Sequence, residues 1–414
     1  MIKHPKLLST ASEIKELAQK LSQSNVIAFD TEFIRENTFF PVVEIIQVAT
    51  DSESWLIDAA AFKKGHRAGV AGAFDPAIQP LLHVFANKAI LKIVHAAQGD
   101  QECLYTSFGA VASPTFDTSV GASLCGYGDS VGLGRLLKLV LDVTIGKGHA
   151  RTNWSVRPLP AQLMDYAHAD VEFLVSLGKE LLSRLEKLGR KSWALELSAK
   201  WEDPMLYQID VEGIARKLGR GGKLDKRGYS ALLELVRWRE DRVRHLNLPR
   251  RWVADDAVLV DLATVRPKDI EHLSSFRGLN KGELAKSGQA ILEALARGAK
   301  AAETVVPPRA ERLEAPSLEE SQVLDLVKCY VGILADRHRI AAKHLMTTSQ
   351  LLALLRHKIE APQDLVKHEI LSEDAARLIG AELIAFLAGK RGLFIEHNGQ
   401  GSRIGIMERG GERS

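Results

Sequence analysis

Short apolar runs that alternate with helical patterns dominate the first half of the chain and predict a β-sheet with helices between its strands. Strand-length runs rich in Val, Ile and Phe occur at residues 26–33, 43–50, 54–57, 90–95 and 114–117. The first three runs follow one another through short connections, which indicates an antiparallel meander, whereas helical patterns separate the later runs. A long amphipathic helix is predicted after Pro160. This order of elements predicts a mixed α/β sheet.

Beyond about Met205 the hydrophobic spacing becomes helical, and no further strand is predicted. The α/β domain is therefore expected to cover residues 1–205. Two helical blocks of similar length follow at 229–298 and 317–392, and they are interpreted as divergent copies of one unit. The segments 206–228 and 299–316 have the composition of linkers, and residues 393–414 are predicted to form a flexible tail.

Composition, cysteine content and the absence of targeting segments limit the class of protein to which the chain can belong. With 414 residues, 46% hydrophobic and 26% charged, the chain has the make-up of a soluble globular protein of several domains. Its three cysteines are too few and too scattered for a disulfide framework or a cysteine-based zinc site. No signal peptide and no run of about 18 apolar residues is present, so the expected location is the cytoplasm.

The charge of the chain is unevenly distributed. Residues 211–250 contain 11 Lys and Arg against 5 Asp and Glu, which gives +6, whereas residues 1–200 are neutral. This basic block is either a nucleic-acid contact surface or an ordinary solvated helix face. The spacing of its arginines can place several of them along one helical edge, which predicts a ridge that contacts phosphates. The ridge consists of Arg237, Arg239, Arg242 and Arg244.

Two carboxylates end the first predicted strand. Asp30 and Glu32 are two positions apart, and side chains at that spacing share one face of a strand. Adjacent like charges are unfavourable unless a cation or a shared proton offsets them, and a divalent metal is the commonest offset. The alternative is a polar strand end that leads into a turn.

Two further segments offer partners for this pair. Asp100 lies where a buried strand ends and a helix begins, at the edge of the sheet where ligands commonly bind, although it could instead cap the helix. Tyr166 and Asp170 have the i,i+4 spacing that puts a phenol and a carboxylate on one helix face. Their alternative is a buried tyrosine beside a surface aspartate.

Together these segments resemble the DEDD superfamily of 3′-5′ exonucleases. Asp30-Thr31-Glu32-Phe33, with Phe40-Pro41 and Ile45-Ile46-Gln47 after it, resembles the first motif of that superfamily. His95-Ala96 to Asp100 is similar to the second motif, and Trp154, Arg157-Pro158-Leu159 and Tyr166 to Asp170 to the third. The position five before Asp170 is Asp165 rather than His, so the tyrosine branch, DEDDy, is the better match. Within that branch the chain is most similar to the ribonuclease D family. Asn153 departs from the Asp that the family often has before its Trp.

The helical blocks carry a second resemblance. Residues 231–240, with Leu248-Pro249-Arg250 and the segment 278–284, resemble an HRDC domain, and residues 318–393 resemble it more weakly. The two resemblances imply a ribonuclease H-like exonuclease domain with a mixed sheet, followed by two all-α HRDC domains.

The resemblance also implies a set of roles. Two divalent ions about 4 Å apart, Mg²⁺ or Mn²⁺, would be bound by carboxylate oxygens. Asp30, Glu32 and Asp170 would hold the ion nearer the attacking water, with Asp30 bridging to a second ion that Asp100 supports. Tyr166 would orient that water. His95 and His168 lie in apolar surroundings and are expected to be structural. Three basic residues are expected to contact phosphates, namely Lys147, Arg151 and Arg157.

The implied function is a metal-dependent 3′-5′ exoribonuclease, acting as a monomer. It would release 5′-nucleoside monophosphates and trim structured RNAs such as tRNA precursors. Two alternatives stay open. One is a 3′-5′ DNA exonuclease, because no residue visibly tests for a 2′-hydroxyl. The other is a non-catalytic nucleic-acid-binding protein, although all four carboxylates are present.

Overall fold

The computed structural model describes residues 6–64, 74–146, 152–220, 224–276, 279, 281–303, 316–398 and 401–408. Its strands are β1 (Leu7–Leu8), β2 (Val26–Ile34), β3 (Val42–Ala49), β4 (Ser54–Asp58), β5 (Leu91–Val94), β6 (Thr115–Asp117), β7 (Arg391–Asn398) and β8 (Gly401–Glu408). The helices of the first domain are α1 (Ala11–Leu21), α2 (Gln79–Ala86), α3 (Gln98–Phe108), α4 (Thr118–Leu124), α5 (Leu133–Leu141), α6 (Ala161–Glu172), α7 (Leu174–Lys187) and α8 (Lys191–Ala199).

The remaining helices form two units. The first unit contains α9 (Val211–Gly219), α10 (Lys226–Leu246), α11 (Arg250–Val253), α12 (Asp256–Val265), α13 (Ile270–Ser274) and α14 (Lys281–Ala301). The second contains α15 (Leu318–Arg337), α16 (Thr348–Arg356), α17 (Pro362–Lys367) and α18 (Glu373–Leu387).

Six strands form one mixed sheet in the order β1-β4-β3-β2-β5-β6. β2, β3 and β4 are the predicted antiparallel meander, whereas β5 and β6 join parallel to β2 after helical connections. The eight residues of β3 are all buried, because helices cover both faces of the sheet at its centre. A register shift between Glu32 and Phe33 bends the end of β2. This end of β2 carries the candidate chemistry.

The long helix predicted after Pro160 is two helices. The backbone of Phe173, with φ −104° and ψ 0°, leaves helical geometry and separates α6 from α7. Leu163 and Ala167 on α6 pack against Ile45 and Leu56 of the sheet, while α7 packs on another part of it through Leu177 and Leu181. The break lets each helix follow the twisted sheet separately.

The first helical unit begins earlier than the sequence predicts. Residues 206–228 are predicted as a linker, yet α9 lies within them and buries Ala215 in the core of this unit. The many Gly and Lys residues of this segment make its short apolar stripe hard to recognise in the sequence. The stripe packs against that core and consists of Val211, Ile214 and Leu218. The unit contacts the exonuclease-like domain where Asn247 Oδ1 accepts hydrogen bonds from the amides of Phe39 and Phe40, at 3.1 and 3.0 Å.

The second helical unit packs directly on the first domain. Tyr330 and Leu334 of α15 belong to the same buried cluster as Leu124 and Leu181 of the first domain. The Ala341 amide donates to the Ser123 carbonyl at 2.9 Å, and the Ser123 hydroxyl contacts His344 Nε2 at 2.7 Å. The two bodies therefore share a continuous apolar core.

The prediction that no strand follows about Met205, with a flexible tail over residues 393–414, is wrong where β7 and β8 form a hairpin. β7 and β8 pair antiparallel with complete register from Arg391 opposite Glu408 to Asn398 opposite Gly401. Ile406 is buried and Leu393 packs against the second helical unit, so one side of the hairpin covers that unit. The many charged and glycine residues hide this pattern, because an edge hairpin needs few apolar positions.

Candidate active site

β2 positions the first two carboxylates. Asp30 pairs across the sheet with Gln47 and Glu32 pairs with Ile45, so the side chains of Asp30 and Glu32 point to the same face. Both carboxylates are only partly buried. The apolar residues before them, Ile27, Ala28 and Phe29, are fully buried and fix this end of the strand.

Helix α6 lies over that face and brings the other two predicted residues. Pro160 precedes the helix, and Leu163 and Ala167 hold it against the sheet. Tyr166 and Asp170, one turn apart, then face β2. The Tyr166 ring lies 6.1 Å from the buried ring of Trp154, and its hydroxyl hydrogen-bonds to the Asp170 carboxylate.

Three carboxylates meet at this point. Asp30, Glu32 and Asp170 each offer one oxygen, and these oxygens all lie within 4.8 Å of one another. That spacing is short enough for one cation to contact all three oxygens, and hard oxygen ligands of this kind suit Mg²⁺ or Mn²⁺. The structure thus brings together side chains separated by up to 140 residues in the chain.

Asp100 is the fourth carboxylate, and it does not cap its helix. Ala97 is the N-cap residue of α3 and makes no side-chain cap, whereas Asp100 lies in the first turn. Its Oδ1 accepts hydrogen bonds from the Thr31 amide at 3.0 Å and the Thr31 hydroxyl at 2.6 Å. These bonds hold Asp100 beside β2. Thr31, for which no role is predicted from the motif, is therefore the residue that orients Asp100.

Burial and neighbouring negative charges raise the pKa values of these carboxylates. For Asp30 the pKa is raised well above its ordinary range, first by loss of solvent and then by the charges of Asp100, Asp170 and Glu32. Burial raises the pKa of Glu32 to about 8, of Asp100 to about 7 and of Asp170 to about 6. In the absence of a cation the site therefore holds protons near neutral pH, which divalent ions would displace.

Gln47 is a residue of this face that sequence reasoning quoted but left without a role. It lies opposite Asp30 on β3 and is fully buried. Neither its amide nitrogen nor its amide oxygen has a hydrogen-bond partner among the described residues. Buried amides are normally paired, so an unpaired one beside a carboxylate cluster fits a site that a ligand completes.

The other polar residues near the motifs have structural partners. His95 Nδ1 contacts the Thr118 hydroxyl at 2.9 Å, and His168 Nδ1 contacts the Ser54 hydroxyl at 2.5 Å. Arg157, predicted to contact phosphate, instead donates two hydrogen bonds to Asp58 at 2.8 and 2.6 Å. Lys147 and Arg151 lie outside the described residues.

The structure contradicts the predicted arginine ridge of the first helical unit at Arg239, which is buried. Arg239 is 1% exposed and donates to Asp256 at 2.6 Å, with the buried Glu240 on its other side. Arg242 pairs with Glu283 at 2.7 Å, Arg237 with Glu234 and Arg244 with Asp241. Each charge of the proposed ridge is thus compensated within the unit, and Arg239 cannot reach solvent.

We expect Arg239→Ala to reduce stability rather than RNA affinity. Removing one partner of a buried ion pair typically costs about 3 kcal/mol or more, because the other charge stays buried. Glu240 keeps Arg250 as a partner, which places the cost at the lower end of that range. Denaturant unfolding checks the loss, with Arg237→Ala as a control that should cost below about 1 kcal/mol, since Arg237 is exposed. Normal stability with weakened RNA binding would restore the ridge interpretation.

Comparison with known proteins identifies the family. The chain is 32% identical to ribonuclease D of Acidiphilium cryptum over 398 residues, which cover 94% of this chain and 96% of that protein. It is 31% identical to ribonuclease D of Bartonella henselae, over 84% of this chain and 82% of the relative. The chain belongs to the ribonuclease D family. Its residues 5–186 match the family described as 3′-5′ exonuclease, and residues 230–295 match the HRDC domain.

The similarity of fold extends over most of the chain. The crystal structure of Escherichia coli RNase D superposes with a TM-score of 0.73 at 24% identity, covering 93% of this chain and 99% of that one. The predicted 3′-5′ exoribonuclease is confirmed by family membership. The predicted fold is confirmed for the mixed-sheet exonuclease domain and for one HRDC domain. Among the described residues, no helix is long and apolar enough to cross a membrane.

Proposed function

We propose that this ribonuclease D family member trims the 3′ ends of structured RNAs, such as tRNA precursors, and releases 5′-nucleoside monophosphates. The observation that carries the proposal is the meeting of Asp30, Glu32 and Asp170 within 4.8 Å, with Asp100 beside them. The E. coli relative is described as an exoribonuclease involved in structured RNA processing, which supports the substrate class.

The residues present fit divalent ions. The donor set consists of carboxylates, which favour Mg²⁺ or Mn²⁺ over softer metals. Loss of solvent and repulsion between the carboxylates raise their pKa values, and a bound cation would offset that repulsion. We assign Asp30, Glu32 and Asp170 to one ion, and Asp30 with Asp100 to a second. When bound, two such ions neutralise charge on the attacking and leaving oxygens of a phosphodiester.

The protein side chains orient the reaction. Tyr166 lies beside Asp170 and Glu32, and its pKa is raised by burial and by their charges, so the phenol keeps its proton at neutral pH. A neutral phenol is suited to orient a water by hydrogen bonding, and is not suited to bind metal as a phenolate. Trp154 packs beside the Tyr166 ring and limits its rotation. We therefore propose Tyr166 as the residue that aligns the attacking water with the scissile phosphorus.

The pH dependence of stability tests the protonation of the cluster. A carboxyl whose pKa is raised by folding binds a proton that the unfolded chain has released, so the free energy of unfolding falls as pH rises. For Glu32 this fall extends from its ordinary pKa of 4.5 to about 8. In chelator, we expect Glu32→Gln to melt at a higher temperature than wild type, with a difference that grows between pH 5 and pH 8.

The control for this prediction is Glu172→Gln, an exposed residue two positions beyond Asp170 on α6, whose melting curve should follow the wild type. Saturating Mg²⁺ should remove the advantage of Glu32→Gln, because ion binding needs the deprotonated carboxylates. Parallel curves for wild type and Glu32→Gln at every pH would contradict the raised pKa.

RNA is the proposed substrate, and DNA is the alternative. The test uses matched RNA and DNA duplexes with 3′ extensions, incubated with Mg²⁺, with Mn²⁺ and with chelator. We expect single-nucleotide shortening of the RNA, 5′-monophosphate products and no reaction in chelator. Equal or faster shortening of the DNA would favour the DNA exonuclease, and binding without cleavage would favour a non-catalytic role.

We also propose that residues 317–392 are a diverged second HRDC domain. Apart from the short α9, each helical unit has a long helix first, α10 or α15, and another last, α14 or α18, with short helices between. Their chain order and helix lengths are similar, which supports a common origin.

A further inference from the structure

A cavity of about 660 Å³ lies between the exonuclease domain and the second helical unit. One wall is formed by the end of α4, the end of α7 and the turn before α8, and the other by the end of α15. Its ionisable lining includes no carboxylate. The basic residues of the lining, which we call the interdomain basic cluster, are Arg184, Lys187, Arg190, Arg337, His338 and Arg339.

Part of this charge is not compensated by the protein. Arg184 pairs with Glu180 at 2.7 Å, and Arg337 pairs with Glu382 at 3.0 Å. For Lys187 and Arg339, both exposed, no ion pair is found within the described parts of the chain. This contrasts with four arginines of α10 that are each paired with a carboxylate, namely Arg237, Arg239, Arg242 and Arg244.

Arg190 is a fixed part of the cavity wall rather than a mobile surface side chain. It is 7% exposed, and its guanidinium donates to the carbonyls of Leu124 at 2.7 Å, Arg339 at 3.3 Å and His338 at 2.8 Å. These acceptors are neutral, so the positive charge is retained, and burial lowers its pKa. Its Nε–H has no partner among the described residues. A fixed, buried cation therefore lies in the wall of the cavity.

Close approach of the two bodies keeps the cavity narrow. Gly126 has φ +82°, and a side-chain carbon there would lie 2.7 Å from Arg339 Cβ and 2.8 Å from its carbonyl oxygen. Only glycine permits this approach. Next to it, the Tyr127 ring lines the cavity with the Arg184 guanidinium 5.6 Å from its centre. An aromatic face beside several cations suits a nucleotide, whose base stacks while its phosphate pairs with arginine or lysine.

We propose that the interdomain basic cluster binds a backbone phosphate of the RNA substrate, at a site separate from the carboxylates. This inference rests on the proposed function, because it names RNA as the ligand. The cluster lies on elements that contribute none of Asp30, Glu32, Asp100 and Asp170. It holds the body of a structured RNA while the 3′ end is cleaved elsewhere. Contacts of this kind position the backbone and carry no sequence information.

The test compares the affinity of full-length wild type, Lys187→Glu and Arg339→Asn for a tRNA with a 3′ extension, in chelator and across a salt series. Asn is chosen for position 339 because the residue there has φ +49°, which Asn tolerates. Lys328→Glu is the control, an exposed cation on α15 that does not line the cavity. Melting temperatures verify that each variant is folded.

We expect Lys187→Glu to bind the tRNA about tenfold more weakly, because the variant loses a charge-assisted contact to a phosphate and places a like charge beside it. Its slope of log affinity against log salt should be smaller by about 0.9, the value for one phosphate contact. Cleavage of a five-nucleotide RNA, which lacks the structured body that the cluster is proposed to hold, should not change. Arg339→Asn should show the same pattern, and Lys328→Glu should resemble wild type.

Unchanged tRNA affinity and salt slope in both cavity variants would overturn the proposal. Binding of adenosine monophosphate and of inorganic phosphate is measured with the same variants. If the cavity variants lose this binding while their tRNA affinity is unchanged, the cavity is a site for a free anion and the proposal is overturned. The readout is affinity without turnover, so it is independent of the cleavage assay. Failure of cleavage by wild type would reject the proposed function and leave this measurement interpretable.

Discussion

Asp30→Ala, Glu32→Ala, Asp100→Ala and Asp170→Ala are each expected to reduce the rate of RNA shortening by about 10³-fold or more. Metal ions supply several kcal/mol of charge stabilisation to such reactions, and each tenfold in rate corresponds to about 1.4 kcal/mol. Asp30 should have the largest effect, because it is the residue whose pKa responds to all three other carboxylates.

These variants should remain folded. Removing Asp30, Glu32 or Asp170 from a repelling cluster relieves its neighbours, so the melting temperatures of these variants in chelator should equal or exceed that of wild type. Asp100→Ala also leaves the buried amide and hydroxyl of Thr31 without their acceptor, which offsets part of this gain. Glu172→Ala, on the same helix as Asp170 but exposed, serves as the control and should retain activity. A near wild-type rate for any of the four variants would remove that residue from the proposed ligand set.

Tyr166→Phe is expected to lower the rate by about 10²-fold to 10³-fold, the range for losing an orienting hydrogen bond in a catalytic site. The ring still packs beside Trp154, so the change removes the hydroxyl and its bond to Asp170. The concentration of Mg²⁺ that gives half-maximal rate should change little. Tyr229→Phe, in the HRDC domain, removes the same atom away from the site and should be neutral.

Two results would contradict this role for Tyr166. Full activity of Tyr166→Phe would mean that another group holds the water. A large rise in the half-maximal Mg²⁺ concentration would mean that Tyr166 acts by holding Asp170 in place. The kinetic assay at several Mg²⁺ concentrations separates the two explanations.

The exonuclease core could be predicted because its signals are local. Strand β2 is predicted at 26–33 and observed at Val26–Ile34, since an unbroken apolar run ending in Asp30 and Glu32 has one favourable register. By contrast, β1 is only Leu7–Leu8, too short for any periodicity, and it is stabilised by pairing with β4. The hairpin of β7 and β8 was missed for a similar reason, because its burial depends on the helical unit beneath it.

Residue roles were predictable only where spacing within one element decides them. The shared face of Tyr166 and Asp170 follows from helix geometry. Arg239 and Arg242 have a suitable spacing too, but their partners, Asp256 and Glu283, lie on other helices. The bond between Thr31 and Asp100 joins residues 69 apart, and the unpaired amide of Gln47 depends on packing from both sides. Such contacts are properties of the tertiary structure, and no local pattern reports them.

The most direct test of the central claim, that the carboxylate cluster binds divalent ions that act on the scissile phosphodiester, is a phosphorothioate experiment. Each diastereomer of an RNA with sulfur at the last phosphodiester is cleaved by wild type in Mg²⁺ and in Mn²⁺. The account predicts that one diastereomer reacts much more slowly than the oxygen substrate in Mg²⁺ and recovers in Mn²⁺, because Mg²⁺ strongly prefers oxygen ligands. An equal effect of sulfur with both metals for both diastereomers, or cleavage that persists in chelator, would contradict it.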